Sequence, residues 1–230
     1  MTPIGHILNS VVDCISARRI KLPAVRRTAA CRRFRLLTWV IAVVGFAPTI
    51  ARTVPLPDPA PGTLFVDVTI SGTTAAARPE LAGQIVQDVL TPYEFSGAEQ
   101  FLKGTVQNRV VRSDADGTFD FYWRVRPDAS SSNNIQSFRV SGFDTFSLDA
   151  DWKSDGIGTE APDTARHFGN GSVNFMFPNL GDEQSQHRSS RFFFLDTEAT
   201  QYAMTGNYDL LCPAAGCRSP SFSTFAPVHG

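Results

Sequence analysis

Two short segments group carboxylates in the way a hard cation wants them. Asp114, Asp116 and Asp120 stand around Gly117, and Asp149, Asp151 and Asp155 lie just before Gly156. Calcium takes several hard oxygen ligands, and alternate Asp residues in a turn can aim at one centre, as at the start of an EF-hand loop. Counted from Asp114, the third ligand position falls on Thr118, the loop glycine on Phe119 and the closing Glu on Val125. Counted from Asp149, Glu160 occupies the closing position, while Lys153 takes the third ligand position and Ser154 that of the glycine. Asp114, Asp116, Asp120, Asp149, Asp151, Asp155 and Glu160 are thus the candidate calcium ligands, and calcium is the candidate cofactor. Solvated Asp-rich turns are the competing reading.

Other chemistry finds little to stand on. Beyond the N-terminal leader the imidazole bases are His167, His187 and His229, and none sits in a catalytic frame: GxSxG, HExxH, a phosphate loop and a strand-borne GxGxxG are all missing. Gly169-Asn170-Gly171-Ser172 reads as a turn. A carboxylate pair for glycoside hydrolysis has many acids to draw on, but spacing across strands is invisible at this level. Tyr122 and Trp152, with Tyr93 and Tyr202 behind them, are the rings that would stack on sugars, although most strand aromatics belong to cores. Cofactors other than calcium are not expected.

The charge balance has two halves. Residues 1–35 hold eight basic side chains against Asp13 alone, so the remainder carries 13 basic and 21 acidic residues, a net of −8. A chain so acidic and without a basic stripe repels phosphates, which excludes nucleic acid as a partner. The uncharged run from Leu36 to Ala47 follows the basic stretch, and Thr49 and Ala51 supply small residues for cleavage after Ala51, with Ala47 as a second site. This is the layout of a signal peptide and is too short for a spanning helix. Arg32-Arg33 admits a twin-arginine variant of the same reading. Membrane contact is expected through this segment alone, if it stays uncleaved.

Export agrees with the cysteines. Cys14 and Cys31 lie in the leader, leaving Cys212 and Cys217 around Pro213 and Gly216. A structural disulfide is the first reading in an oxidising compartment, free thiols the second and metal ligation the last. The domain plan is a basic leader and signal peptide over 1–51, a Pro-rich extended spacer over 52–62 and one β domain over 63–230.

That β domain is read from alternation. Phe119, Phe121, Trp123 and Val125 share one face by period two, with Asp120, Tyr122, Arg124 and Arg126 on the other, and Asp116-Gly117 turns the chain back onto 104–112. Further strands are expected over 64–70, 84–90, 135–143, 145–150, 172–177, 191–196 and 202–210, most of them separated by turn-rich segments. The run Arg191-Phe192-Phe193-Phe194-Leu195 is apolar on both faces and reads as a central buried strand. The fold class is all-β, an antiparallel, jelly-roll-like β-sandwich with a barrel as the alternative, preceded by an N-terminal signal helix.

Several of these segments resemble known proteins. Arg109-Val110-Val111-Arg112, Gly117 to Val125, Arg139-Val140-Ser141-Gly142-Phe143, Ser190 to Thr197 and Ser223-Thr224-Phe225-Ala226-Pro227 are similar to a group of bacterial exported proteins, many with a PEP-CTERM sorting tail. The resemblance implies an all-β fold sorted to the envelope of Gram-negative bacteria that make exopolysaccharide, and no reaction. A Val-Pro-Glu-Pro motif, an apolar helix and a basic end do not follow Pro227, so either a released soluble domain or a truncated chain is expected. The resulting functional expectation is a non-enzymatic, exported cell-surface or matrix protein in the periplasm, on the cell surface or outside the cell. Polysaccharide or surface proteins are its expected partners. A carbohydrate- or calcium-binding module is the alternative and a hydrolase the third.

Overall fold

A computed structural model describes residues 54–97, 100–181 and 189–230. The leader, with its signal segment, cleavage sites and Cys14 and Cys31, lies outside the described residues, as does His187. Among the described residues eleven strands follow in chain order: β1 (Phe65–Thr69), β2 (Gly83–Gly97), β3 (Gln100–Ser113), β4 (Phe119–Pro127), β5 (Ile135–Ser141), β6 (Leu148–Trp152), β7 (Thr164–Phe168), β8 (Val173–Leu180), β9 (Phe193–Thr197), β10 (Tyr202–Leu211) and β11 (Phe222–Pro227). They form a six-stranded sheet, β1-β7-β8-β5-β10-β11, packed on a five-stranded sheet, β2-β3-β4-β9-β6. Every pairing between these strands is antiparallel. The β-sandwich is therefore the fold, and the barrel alternative is excluded because the two sheets stay separate.

Alternation explains the core. Phe121, Trp123 and Val125 are buried as expected, and Phe193 of β9 sits among Phe175, Phe138 and Phe177 with ring centroids 4.7, 5.1 and 5.3 Å away. Removing such rings from water is the main stabilising term. One polar thread crosses the core: Trp123 Nε1 donates to Thr224 Oγ1 of β11 (2.9 Å), which donates to Asn108 Oδ1 of β3 (3.0 Å). It satisfies an indole N–H that burial would otherwise penalise.

Several elements differ from expectation. β2 runs on to Gly97 through Pro92, which an edge strand tolerates because its outer side needs no ladder donor; together with the irregularity between Ile85 and Gln87, Pro92 also blunts an edge exposing Ile85 and Leu90. β7 and β11 escape the alternation pattern, since β7 turns His167 inward and β11 mixes Ser and Thr with Phe. The Pro-rich segment, expected to be a spacer, is docked: the Leu56 N–H donates to Leu148 O (2.8 Å), the Ala150 N–H donates to Val54 O (3.0 Å), and Leu56 is buried. It covers the β6 edge, so the domain begins by Val54.

Cys212 and Cys217 form a disulfide with Cα atoms 5.5 Å apart, closing a turn in which Gly216 takes φ +76°. This bond fits an oxidising compartment. Among the described residues no helix is long and apolar enough to cross a membrane. Replacing both cysteines by serine is expected to cost about 2 kcal/mol by loop-closure entropy. Urea unfolding of wild type with and without reductant checks this; a loss below about 0.5 kcal/mol contradicts the entropic account.

Candidate functional site

The acidic segments flagged by sequence do meet a charged centre, but a different one. The turn after Gly72 brings Arg78 onto the outer face of the five-stranded sheet, where it is 1% exposed and lies 5.7 Å from the centroid of the Phe194 ring. Its Nε pairs with Glu80 (2.8 Å), and its Nη2 with Asp196 (2.5 Å) and Asp149 (3.8 Å). Asp120, also 1% exposed, lies behind Asp196. Burial, and then the charge of Asp196, push Asp120 up to about 9, so it carries a proton at neutral pH and shares it with Asp196. Burial likewise raises Asp196 and Asp149 in spite of Arg78. A cleft of about 680 Å³ beside this centre is lined by Glu80, Asp116, Asp149, Asp196 and His167 among others. His167 Nδ1 lies 3.0 Å from Pro57 O and so helps to pin the Pro-rich segment.

Neither Asp segment converges as a calcium loop. Asp116 Oδ1 accepts from the Thr118 N–H (3.1 Å) and Oγ1 (2.7 Å), an Asx turn that closes the β3–β4 hairpin with Gly117 at φ +80°. Asp114 stays exposed, and Asp120 turns inward to the Arg78 centre. Asp149 joins Arg78, whereas Asp151 Oδ1 accepts from the Gly72 N–H (2.7 Å) and the Trp152 N–H (2.9 Å). Asp155 accepts from the Ala75 N–H (3.2 Å) and pairs with Lys153 (3.5 Å), and Glu160 bridges to Ser190 by its backbone. Asp149, Asp151 and Asp155 thus hold the 71–82 segment in place. Among the described residues, no group of three or more His, Cys, Asp or Glu is placed to hold a metal ion.

The candidate sugar-stacking rings are also corrected. Tyr122 is 4% exposed, with its ring 5.1 Å from Phe194 and 6.5 Å from Phe192, and Tyr93 is buried in the core. Trp152 lies so close over Gly72 that a Cβ there would come within 2.4 Å of the indole, and Arg191 lies over the ring at 5.3 Å. Tyr202 is edge-on to Phe119 at 4.8 Å. Tyr93 and Tyr122 are buried, Trp152 is packed between Gly72 and Arg191, and Tyr202 is half-buried against Phe119 and Phe225.

Alternation sends a different set outward, on the six-stranded sheet. Register aligns Asp67 (β1), Arg166 (β7), Asn174 (β8), Arg139 (β5) and Asp209 (β10) into one row across five strands. Arg166 clamps Asp67 with Nε and Nη2 at 2.7 and 2.8 Å. Arg139 clamps Asp209 likewise at 3.0 and 2.5 Å, and Arg218 pairs with the same carboxylate. Between the clamps, Asn174 is 8% exposed and its Oδ1 has no hydrogen-bond partner. The neighbouring row holds Phe65 and Phe168, in contact at 5.7 Å, then Ser172, Ser141 and Asn207. Arg166 stacks over Phe65 at 3.9 Å, and a hollow of about 220 Å³ opens between Arg139, Ser141, Ser172, Asn207 and Arg218. The sequence signal is present, since members of the first row are polar residues between inward-facing neighbours, as in Phe138-Arg139-Val140 and Val173-Asn174-Phe175. Only the strand order puts them side by side.

The fold and this face define an antiparallel β-sandwich with a polar, clamped platform on one sheet and an acidic cleft beside the Arg78 centre. No family model matches the chain, no curated protein matches it, and no solved structure matches it.

Proposed function

We propose that the protein is an exported, non-enzymatic glycan-binding module of the cell surface or extracellular matrix, and that its platform is the outward face of the six-stranded sheet. The observation that carries this reading is the row Asp67–Arg166–Asn174–Arg139–Asp209 with a buried, unpartnered acceptor at its centre. Sugar hydroxyls both donate and accept, and this row presents both kinds of group held rigidly by bidentate ion pairs. A sugar O–H satisfies Asn174 Oδ1, which burial otherwise penalises. Strands lie about 4.8 Å apart, close to the repeat of an extended pyranose chain, so successive sugars meet successive strands. The Phe65–Phe168 pair at the β1 end, with Arg166 over one face of Phe65, leaves exposed apolar surface on Phe65 for the carbon face of a sugar ring.

The disulfide, the signal-like leader and the resemblance to envelope proteins of exopolysaccharide producers support an exported polysaccharide as the ligand. The test is a glycan array followed by calorimetry on the glycans retained. Asn174→Ala and Phe65→Ala are each expected to weaken binding about tenfold, while Ile85→Thr on the other sheet leaves it unchanged. An array without ligands, or a retained glycan indifferent to both substitutions, refutes the proposal.

A further inference from the structure

The outer face of the five-stranded sheet carries an apolar cluster where alternation calls for polar side chains. Leu81, Val111, Tyr122, Phe192 and Phe194 are buried there, apart from the main core. A pocket of about 410 Å³ opens on four of them, Leu81, Val111, Tyr122 and Phe192, and is rimmed by Arg109, Lys153 and Asp155. An apolar floor with a few polar groups converging on it is the usual make-up of a small-ligand site. Two of those polar groups lack partners. Tyr122 Oη and Arg109 Nε are both buried without a hydrogen bond, although Arg109 Nη2 pairs with Asp88 at 2.8 Å.

Both orphans are donors. Burial raises Tyr122 well above the ordinary phenol value, so its O–H stays intact, and a guanidinium Nε has no other role than to donate. Two donors over an apolar floor call for a ligand group that has two acceptor oxygens and no donor of its own. Both rim cations are paired, Arg109 with Asp88 and Lys153 with Asp155 (3.5 Å), and Asp155, the one lining carboxylate, also accepts from the Ala75 N–H (3.2 Å). Arg109 stacks over the Phe192 ring, 4.4 Å from its centroid, at the rim of the pocket.

We infer that this pocket binds a carboxylated six-membered ring, with the ring on Leu81 and Val111 and the carboxylate accepting from Tyr122 Oη and Arg109 Nε. Two sources share that chemistry, a free arylacetate and a uronate residue of an acidic glycan. The inference is independent of the glycan platform, which lies on the other sheet and uses none of these residues.

The full chain is titrated calorimetrically with phenylacetate, with methyl glucuronide and with phenylacetamide as the uncharged control. Saturable binding of phenylacetate assigns the free acid, binding of methyl glucuronide assigns the uronate, and the amide binds at least about tenfold more weakly in either case. Tyr122→Phe, which keeps the ring and the packing, lowers affinity about tenfold at an unchanged thermal midpoint, and Arg109→Gln lowers it further. Asn174→Ala leaves this affinity unchanged. Binding of neither acid, equal binding of the amide, or full affinity in Tyr122→Phe overturns the inference.

Discussion

Arg78→Met is expected to destabilise the fold by about 3 kcal/mol at pH 7, because it strands a group of carboxylates already withdrawn from water. Methionine fills the space over Phe194 but supplies no charge. Asp196, Asp149 and Glu80 then face one another without the cation that each now meets at 2.5, 3.8 and 2.8 Å. Breaking a buried pair by deleting one partner costs about 3–5 kcal/mol, and the lower end applies because these carboxylates keep some contact with water. The loss shrinks at pH 5, since carboxylates freed of Arg78 take up protons there. Urea unfolding at both pH values tests this, and a loss under about 1 kcal/mol at pH 7 means that the cluster does not hold the 71–82 segment.

The second large effect is a dependence of stability on pH that runs opposite to ordinary acid unfolding. Asp120 in the unfolded chain titrates near the usual carboxylate value of about 4. In the folded chain burial and the Asp196 charge push it up to about 9. The folded state therefore binds the extra proton between these values, so this contribution is fully present below about pH 4 and is lost as pH rises toward 9. The slope is at most about 1.4 kcal/mol per pH unit for one such group, and Asp196 and Asp149, shifted upward by burial as well, add to it with the same sign. Asp120→Asn cannot titrate and still donates to Asp196. It is expected to flatten the slope between pH 5 and pH 9 and to exceed wild type in stability at pH 8. A wild type equally stable at pH 5 and pH 8 contradicts this picture of the buried pair.

The Arg78 centre shows why charge clusters are hard to read from a sequence. Asp116, Asp120 and Asp149 stand out as turn carboxylates, yet the partners of the last two come from distant parts of the chain: Asp120 is beside Asp196 and Asp149 beside Arg78. The 71–82 segment has no clear periodicity, and it contains a single turn of 3₁₀ helix at Pro79–Leu81. Its importance comes from Arg78, which looks in isolation like any loop arginine. Tyr122 misleads for the same reason. Period two correctly sends it away from the core, but Leu81 and Phe192 cover it from segments that alternation does not address.

What the chain determines locally was legible: that it is all-β, that its strands build a sandwich, which face of 119–125 is core, and that Cys212 can reach Cys217 over a short turn. These follow from forces acting between residues a few positions apart, namely alternation on a pleated strand, Gly and Asp in turns, and ring closure. The tertiary structure alone decided which polar residues became neighbours. Arg139 meets Asp209 and Arg166 meets Asp67 across 70 and 99 positions because strand order and register place them there, and a shift of one residue in either strand would send each to the opposite face. The platform row and the Arg78 centre are products of that register, which is set by the burial of the whole core and not by any segment's own preference.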